Sequence, residues 1–176
     1  MKIYIVLTHT GTTLSKIVKW YTKKDFSHVS ISLDKELNEM YSFGRLNPYN
    51  PFLGGFVHEY TDKGIFKRFK NTNAAIYSLE VTQEQYEHIK NAINKIEQEK
   101  EKYKFNILGL FAVSIHKKIK KENSFYCAEF VKFLIEKADI QINLPEIIKP
   151  EDFRKIDNVE LIYTGLLREY KMREIS

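Results

Sequence analysis

The chain is poor in several things at once. One cysteine in 176 residues excludes an intramolecular disulfide and any zinc cluster built on cysteine. Seven glycines and four prolines leave no room for a long flexible linker. No apolar stretch approaches the roughly 18 residues that a membrane-spanning helix needs. The run Ile3-Tyr4-Ile5-Val6-Leu7 follows a lysine, but it is too short for the apolar region of a signal peptide and lacks a small-residue cleavage site. These absences lead us to expect a cytoplasmic protein of one domain, 1–176, with no transmembrane segment.

Aromatic residues, by contrast, are abundant. Twelve Phe and eleven Tyr argue for a packed core and against disorder. The formal net charge is +5. Much of it lies in Lys16, Lys19, Lys23 and Lys24, in Lys67, Arg68 and Lys70, and in Lys117, Lys118, Lys120 and Lys121. The imbalance is modest and no nucleic-acid motif accompanies it. We therefore read these clusters as solvated faces and expect no nucleic-acid partner.

Periodicity gives an order of elements. Residues 3–7 read as a buried strand, and Leu14, Ile17, Val18 and Tyr21 as one face of a helix. From His28 the chain alternates, with Val29, Ile31 and Leu33 on one side and His28, Ser30 and Ser32 on the other. Residues 38–44 return as a hairpin partner. A turn centred between Lys35 and Glu36 would set Ser32 opposite Glu39 and Ser30 opposite Tyr41. A turn one residue longer would substitute Met40 and Ser42. The aromatic, turn-rich stretch 47–56 reads as an ordered loop. Residues 64–69 and 74–81 read as strands. A helix starts at Thr82 with Gln85 in the capping-box position and runs to about Tyr103. Residues 105–116 read as an apolar helix, Pro150 opens a short helix, and 159–163 close as a strand.

The chemistry concentrates around Ser124-Phe125-Tyr126-Cys127-Ala128-Glu129-Phe130-Val131. Phe130, Val131 and Leu134 follow Cys127 at helical spacings, and Ser124 is a possible N-cap. A cysteine in the first turn meets unpaired backbone N–H groups and the positive end of the helix, a setting that favours a thiolate nucleophile. A small buried hydrophobe is the bland alternative. A thiol nucleophile needs a base, usually histidine, oriented by a third polar group. His88 and His116 read as surface residues, and His58 as a loop or strand-edge residue. His9 ends the first strand. His28 differs, because it starts a buried-type strand on its polar face, between Ser27 and Ser30.

Phe26-Ser27-His28-Val29-Ser30-Ile31, followed later by Phe125-Tyr126-Cys127-Ala128-Glu129-Phe130-Val131, resembles the circularly permuted branch of the NlpC/P60 superfamily. That branch includes YiiX-like and YaeF-like hydrolases and the lecithin:retinol acyltransferase-like proteins. There the histidine strand precedes the cysteine helix, as it does here. The resemblance implies an α+β, papain-like fold, with an antiparallel, partly closed sheet packed against helices. It implies acyl transfer with Cys127 as nucleophile and His28 as base, and no cofactor or metal. The third polar residue would lie on the strand after the histidine strand. Glu39 is the first choice, with Tyr41 and Ser42 as fallbacks. Tyr126 would line the pocket, assist the oxyanion site or simply pack, and Ser30 would border the pocket. The implied substrates are small cell-wall-stem-like peptides or acylated small molecules. A lipid-directed acyltransferase or phospholipase, or a non-catalytic binding module, are the rival readings.

Overall fold

The computed structural model describes residues 1–11, 25–47, 50–106, 109 and 122–173. The expected helix at 14–22, most of the apolar segment at 105–116, and His116 lie outside the described residues. The architecture is α+β. Strands β1 (Lys2–His9), β2 (His28–Ser32), β3 (Met40–Asn47), β4 (Asn50–Glu59), β5 (Asn73–Glu80) and β8 (Val159–Leu166) form one antiparallel sheet in the order β4-β3-β2-β1-β5-β8. Among the described residues no ladder joins β4 to β8, so the sheet is open. Strands β6 (Lys104–Phe105) and β7 (Ser124–Phe125) make a short parallel pair. The helices are α1 (Gly64–Arg68), α2 (Gln83–Gln98), α3 (Cys127–Lys137) and α4 (Leu167–Arg173). No described helix is long and apolar enough to cross a membrane.

Both faces of the sheet are covered, which is why β1 reads as an unbroken apolar run. On one face Ile3, Ile5, Leu7, Val29, Ile31 and Phe43 pack against Ile89 and Ile93 of α2 and Phe130 and Leu134 of α3. On the other, Tyr4, Val6, Met40 and Ile76 pack with Phe66 of α1 and with Leu167 and Tyr170 of α4. Helix α2 begins as its sequence indicates. Thr82 accepts from the Gln85 N–H and the Gln85 side chain accepts from the Thr82 N–H, the reciprocal pair of a capping box.

Two sequence readings are corrected, and a third, left open between two registers, is resolved. Residues 50–59 are strand rather than loop. Gly54 is packing space, not a turn signal: a Cβ there would lie 2.7 Å from the Phe105 ring. Residues 64–69 hold a five-residue helix rather than a strand, because one short turn suffices to bury Phe66 in the second core. The third concerns the turn between β2 and β3. Ser32 pairs with Met40 and Ile31 with Tyr41, the longer of the two registers considered. The Asp34 carboxylate accepts the Asn38 and Glu39 N–H groups. Leu37 takes a left-handed conformation, φ 58°, and is fully buried in the second core. Burying a leucine is worth about 2 kcal/mol, which outweighs the roughly 1–2 kcal/mol cost of that backbone conformation.

Phe43 is the hub of the aromatic core. Its ring lies 5.1 Å from Phe130, 5.2 Å from Phe125 and 6.0 Å from Phe56. Phe43→Ala is expected to cost about 3–5 kcal/mol, the scale for emptying a buried aromatic site. A urea-unfolding midpoint within error of wild type would refute this placement.

Candidate active site

Strand β2 is paired with β1 along its whole length, down to Thr8 opposite His28. Its pairing with β3 stops at Ile31. The helix α3 packs on both β2 and β3, and its first residue, Cys127, shares a cavity with His28 and Gly44. That cavity, of about 260 Å³, is lined among others by Ser27, His28, Gly44, Glu59 and Cys127.

The histidine arrives under firm control. Just before it, the Ser27 N–H donates to the Thr8 carbonyl at 3.1 Å, and the Phe26 N–H donates to Oε1 of buried Glu151 at 3.0 Å. His28 Nε2 lies 2.9 Å from Glu59 Oε1. The Ser30 hydroxyl donates to Glu59 Oε2 and sits 3.3 Å from His28 Nε2. The side chain of Glu59 is 6% exposed and that of His28 21%, so the pair is shielded from water on most sides. The pair packs directly beside Gly44: a Cβ there would stand in ordinary contact, 3.4 Å from His28 Cε1 and 3.8 Å from Glu59 Oε1. With Nε2 engaged by Glu59, Nδ1 is the nitrogen left to serve the thiol.

Burial by itself would lower the His28 pKa. The Glu59 charge, aided by Cys127, outweighs it and pushes the imidazole up to about 10. His28 is therefore an imidazolium at neutral pH. Burial would likewise raise Glu59, but the His28 charge and the hydrogen bonds from His28 and Ser30 hold it below the ordinary carboxylate value.

Cys127 is the first residue of α3 and is buried. The start of the helix is fixed on three sides. Glu129 Oε2 accepts the Tyr126 N–H at 3.2 Å and the Asn106 amide at 3.4 Å. The Asn106 N–H donates to the Phe125 carbonyl, and the Tyr126 hydroxyl donates to the Ile148 carbonyl at 2.9 Å. The N-cap position belongs to Tyr126, not Ser124, whose hydroxyl instead donates to the Lys104 carbonyl across the β6–β7 pair. At the first helical position the Cys127 N–H has no acceptor within the helix, which leaves it available to an oxyanion.

The structure thus brings Cys127, His28 and Ser30 together, with Ser42 buried on the same side of the sheet. It does not bring Glu39. That residue is exposed in the Asp34 turn, because the longer register turns it away from the His28 side. Tyr41 lies on the opposite face, stacked on Phe56 and His58. The Tyr126 hydroxyl is committed to Ile148, so this side chain anchors the helix rather than serving the cavity. Glu59 stands where Glu39 was expected. The alternation Phe56-Val57-His58-Glu59 was the signal for it, since Val57 pairs with Ser42 and Glu59 with Met40. The expected loop concealed it. His58 is held between the Tyr41 and Tyr60 rings, and His9 Nδ1 meets the Ser27 hydroxyl at 3.2 Å.

No protein-family model matches the chain, and no curated protein matches it.

The two shifts fix a pH window. A histidine raised from 6.5 to about 10 contributes stability that is complete below 6.5 and disappears as pH rises through 10. A carboxylate lowered from 4.5 contributes stability that is complete above 4.5 and is lost as pH falls. The pair's contribution is therefore largest between about pH 4.5 and 6.5. Denaturant midpoints of wild type and Glu59→Gln should differ most in that window and converge toward pH 10. In Glu59→Gln the His28 titration followed by NMR should move down from about 10. An unmoved titration would contradict the pairing.

Proposed function

We propose that the chain is a cysteine-dependent acyl-transfer enzyme, an amide or ester hydrolase of the permuted NlpC/P60 type with a papain-like active site. The supporting observation is a single one. The His28 imidazole is clamped by Glu59 at 2.9 Å through one nitrogen, and Cys127 lines the same cavity as the ring. Nucleophile, base and orienting carboxylate stand in the order that covalent acyl transfer requires.

In this mechanism the Cys127 thiolate attacks the carbonyl carbon and forms the S–C bond. The oxygen becomes an oxyanion beside the Cys127 N–H. Collapse breaks the C–N or C–O bond, and His28 gives its proton to the leaving group. His28 then accepts a proton from water as water attacks the thioester. The S–C bond breaks, the acid leaves, and the thiolate–imidazolium pair is restored. Glu59 keeps the ring oriented and favours its charged form throughout. Phe43, Leu46, Ile65 and Phe66 line the cavity, and such apolar walls suit an acyl group better than a wholly polar peptide.

Labelling of Cys127 by iodoacetamide at pH 6, followed by intact mass, tests the pair. Wild type should label rapidly and His28→Ala about ten-fold more slowly or worse, as expected when the thiolate's partner is removed. Cys127→Ser should abolish turnover of p-nitrophenyl butyrate and the acyl adduct seen on brief exposure of wild type to it. Slow labelling that ignores His28 would defeat the proposal and favour a binding module.

A further inference from the structure

One buried carboxylate takes no part in the acyl-transfer steps. Glu151 lies in the short helical turn Pro150–Lys155, 125 residues after the backbone group that it holds. Its side chain is 8% exposed, and it is not among the residues that line the cavity. Both carboxylate oxygens are engaged. Oε1 accepts the Phe26 N–H at 3.0 Å, and Oε2 accepts from Arg154 Nη1 at 3.0 Å. Arg154 Nε donates in turn to the Tyr77 hydroxyl of β5 at 3.0 Å. The same guanidinium lies 5.9 Å from the centroid of the Phe26 ring. One ion pair therefore holds Phe26 twice, by its backbone and by its ring.

Where that hold acts gives it a role. Pairing between β2 and β3 ends at Ile31, so His28 and the two residues before it depend on other elements. The Ser27 N–H goes to β1, at the Thr8 carbonyl. The Phe26 N–H, one residue further out, goes to a charged acceptor. A hydrogen bond to a carboxylate is roughly twice as strong as one between neutral groups, and Arg154 compensates the buried charge. Glu59 orients the His28 ring from β4, but it does not fix where the backbone carries that ring. Resting on the acyl-transfer reading above, we propose that Glu151, braced by Arg154, is a positioning residue of the active site. By fixing Phe26 it sets the place of the His28 imidazole relative to Glu59 and Cys127. The turn Pro150–Lys155 is thereby part of the catalytic machinery without touching the cavity.

A buried carboxylate with a purely structural duty alters stability alone. A positioning residue alters the thiolate as well, so the pH profile of iodoacetamide labelling at Cys127 decides between them. In Glu151→Met the rate at pH 6 should fall about ten-fold, the scale of a small misplacement at a reacting pair. The profile should move up towards the ordinary thiol range, about 8.5. Above about pH 9.5, where an ordinary thiol is ionised, the rate should stay within about two-fold of wild type. Glu151→Gln keeps an acceptor oxygen for the Phe26 N–H and should recover most of the loss. Arg154→Met should lower the pH 6 rate about three-fold, again with little change at high pH.

A Glu151→Met profile that superposes on wild type, whatever its urea midpoint, would overturn the positioning role. With wild-type labelling still fast and dependent on His28, that result leaves the nucleophile standing. Arg154 is 43% exposed, so Arg154→Met reports even where Glu151→Met fails to fold. An unchanged profile in Arg154→Met would then overturn the role, and a fall confined to low pH supports it. Slow labelling of wild type that ignores His28→Ala would overturn both the role and the reading it rests on.

Discussion

A carboxylate placed beneath a sheet needs compensation, because the desolvation of one ion costs several kcal/mol even after relaxation. Glu59 has it from two directions: the His28 ring at 2.9 Å and the Ser30 hydroxyl. Much of the surrounding structure is intelligible as support for that one ion pair. Residues 30 and 42 are serines, small and polar, at positions buried as completely as any in the core. Residue 44 is glycine, and its backbone lies directly beside the ring. Residues 26 and 27 are tied to Glu151 and Thr8, so the chain enters β2 in one direction. Removal of either partner would leave an uncompensated buried charge, typically a loss of about 3–5 kcal/mol.

The second constraint is the divergence of β2 from β3. Pairing with β3 ends at Ile31, and Cys127 lines one cavity with His28 of β2 and Gly44 of β3. The missing rungs expose backbone groups that must be shielded in another way, and the aromatic cluster around Phe43, Phe125 and Phe130 packs beside them. The same cluster fixes the height of α3 over the sheet. Core packing and site geometry are therefore one problem in this region.

How much could be read from the sequence follows the physics of each segment. The two-residue alternation from His28 to Leu33 and the three-to-four spacing after Cys127 are strong signals, and both elements stand where those signals put them. His28 was recognisable because a polar strand face with a histidine at its mouth is unusual. Glu59 was not. Its strand contains Pro51, Gly54 and Gly55, residues that ordinarily break strands, and the reason for Gly54 lies in a distant residue, Phe105. The register that excludes Glu39 depended on Leu37 accepting a left-handed backbone. A local pattern does not announce that, because the compensation comes from the second core. Long-range packing decided both cases.

That turn has a consequence for how the chain can vary. Side chains on a strand alternate, so the segment from Leu33 to Met40 acts as a reading frame for everything after it on β3. Loss or gain of one residue there would carry Tyr41 and Phe43 to the side now held by Ser42 and Gly44, and the serine into the aromatic cluster. Changes of two residues would keep the phase. Length variation at this turn should therefore be even-numbered in any descendant that keeps the His28–Glu59 pair, while the surface identity of Lys35, Glu36 and Glu39 is free to drift.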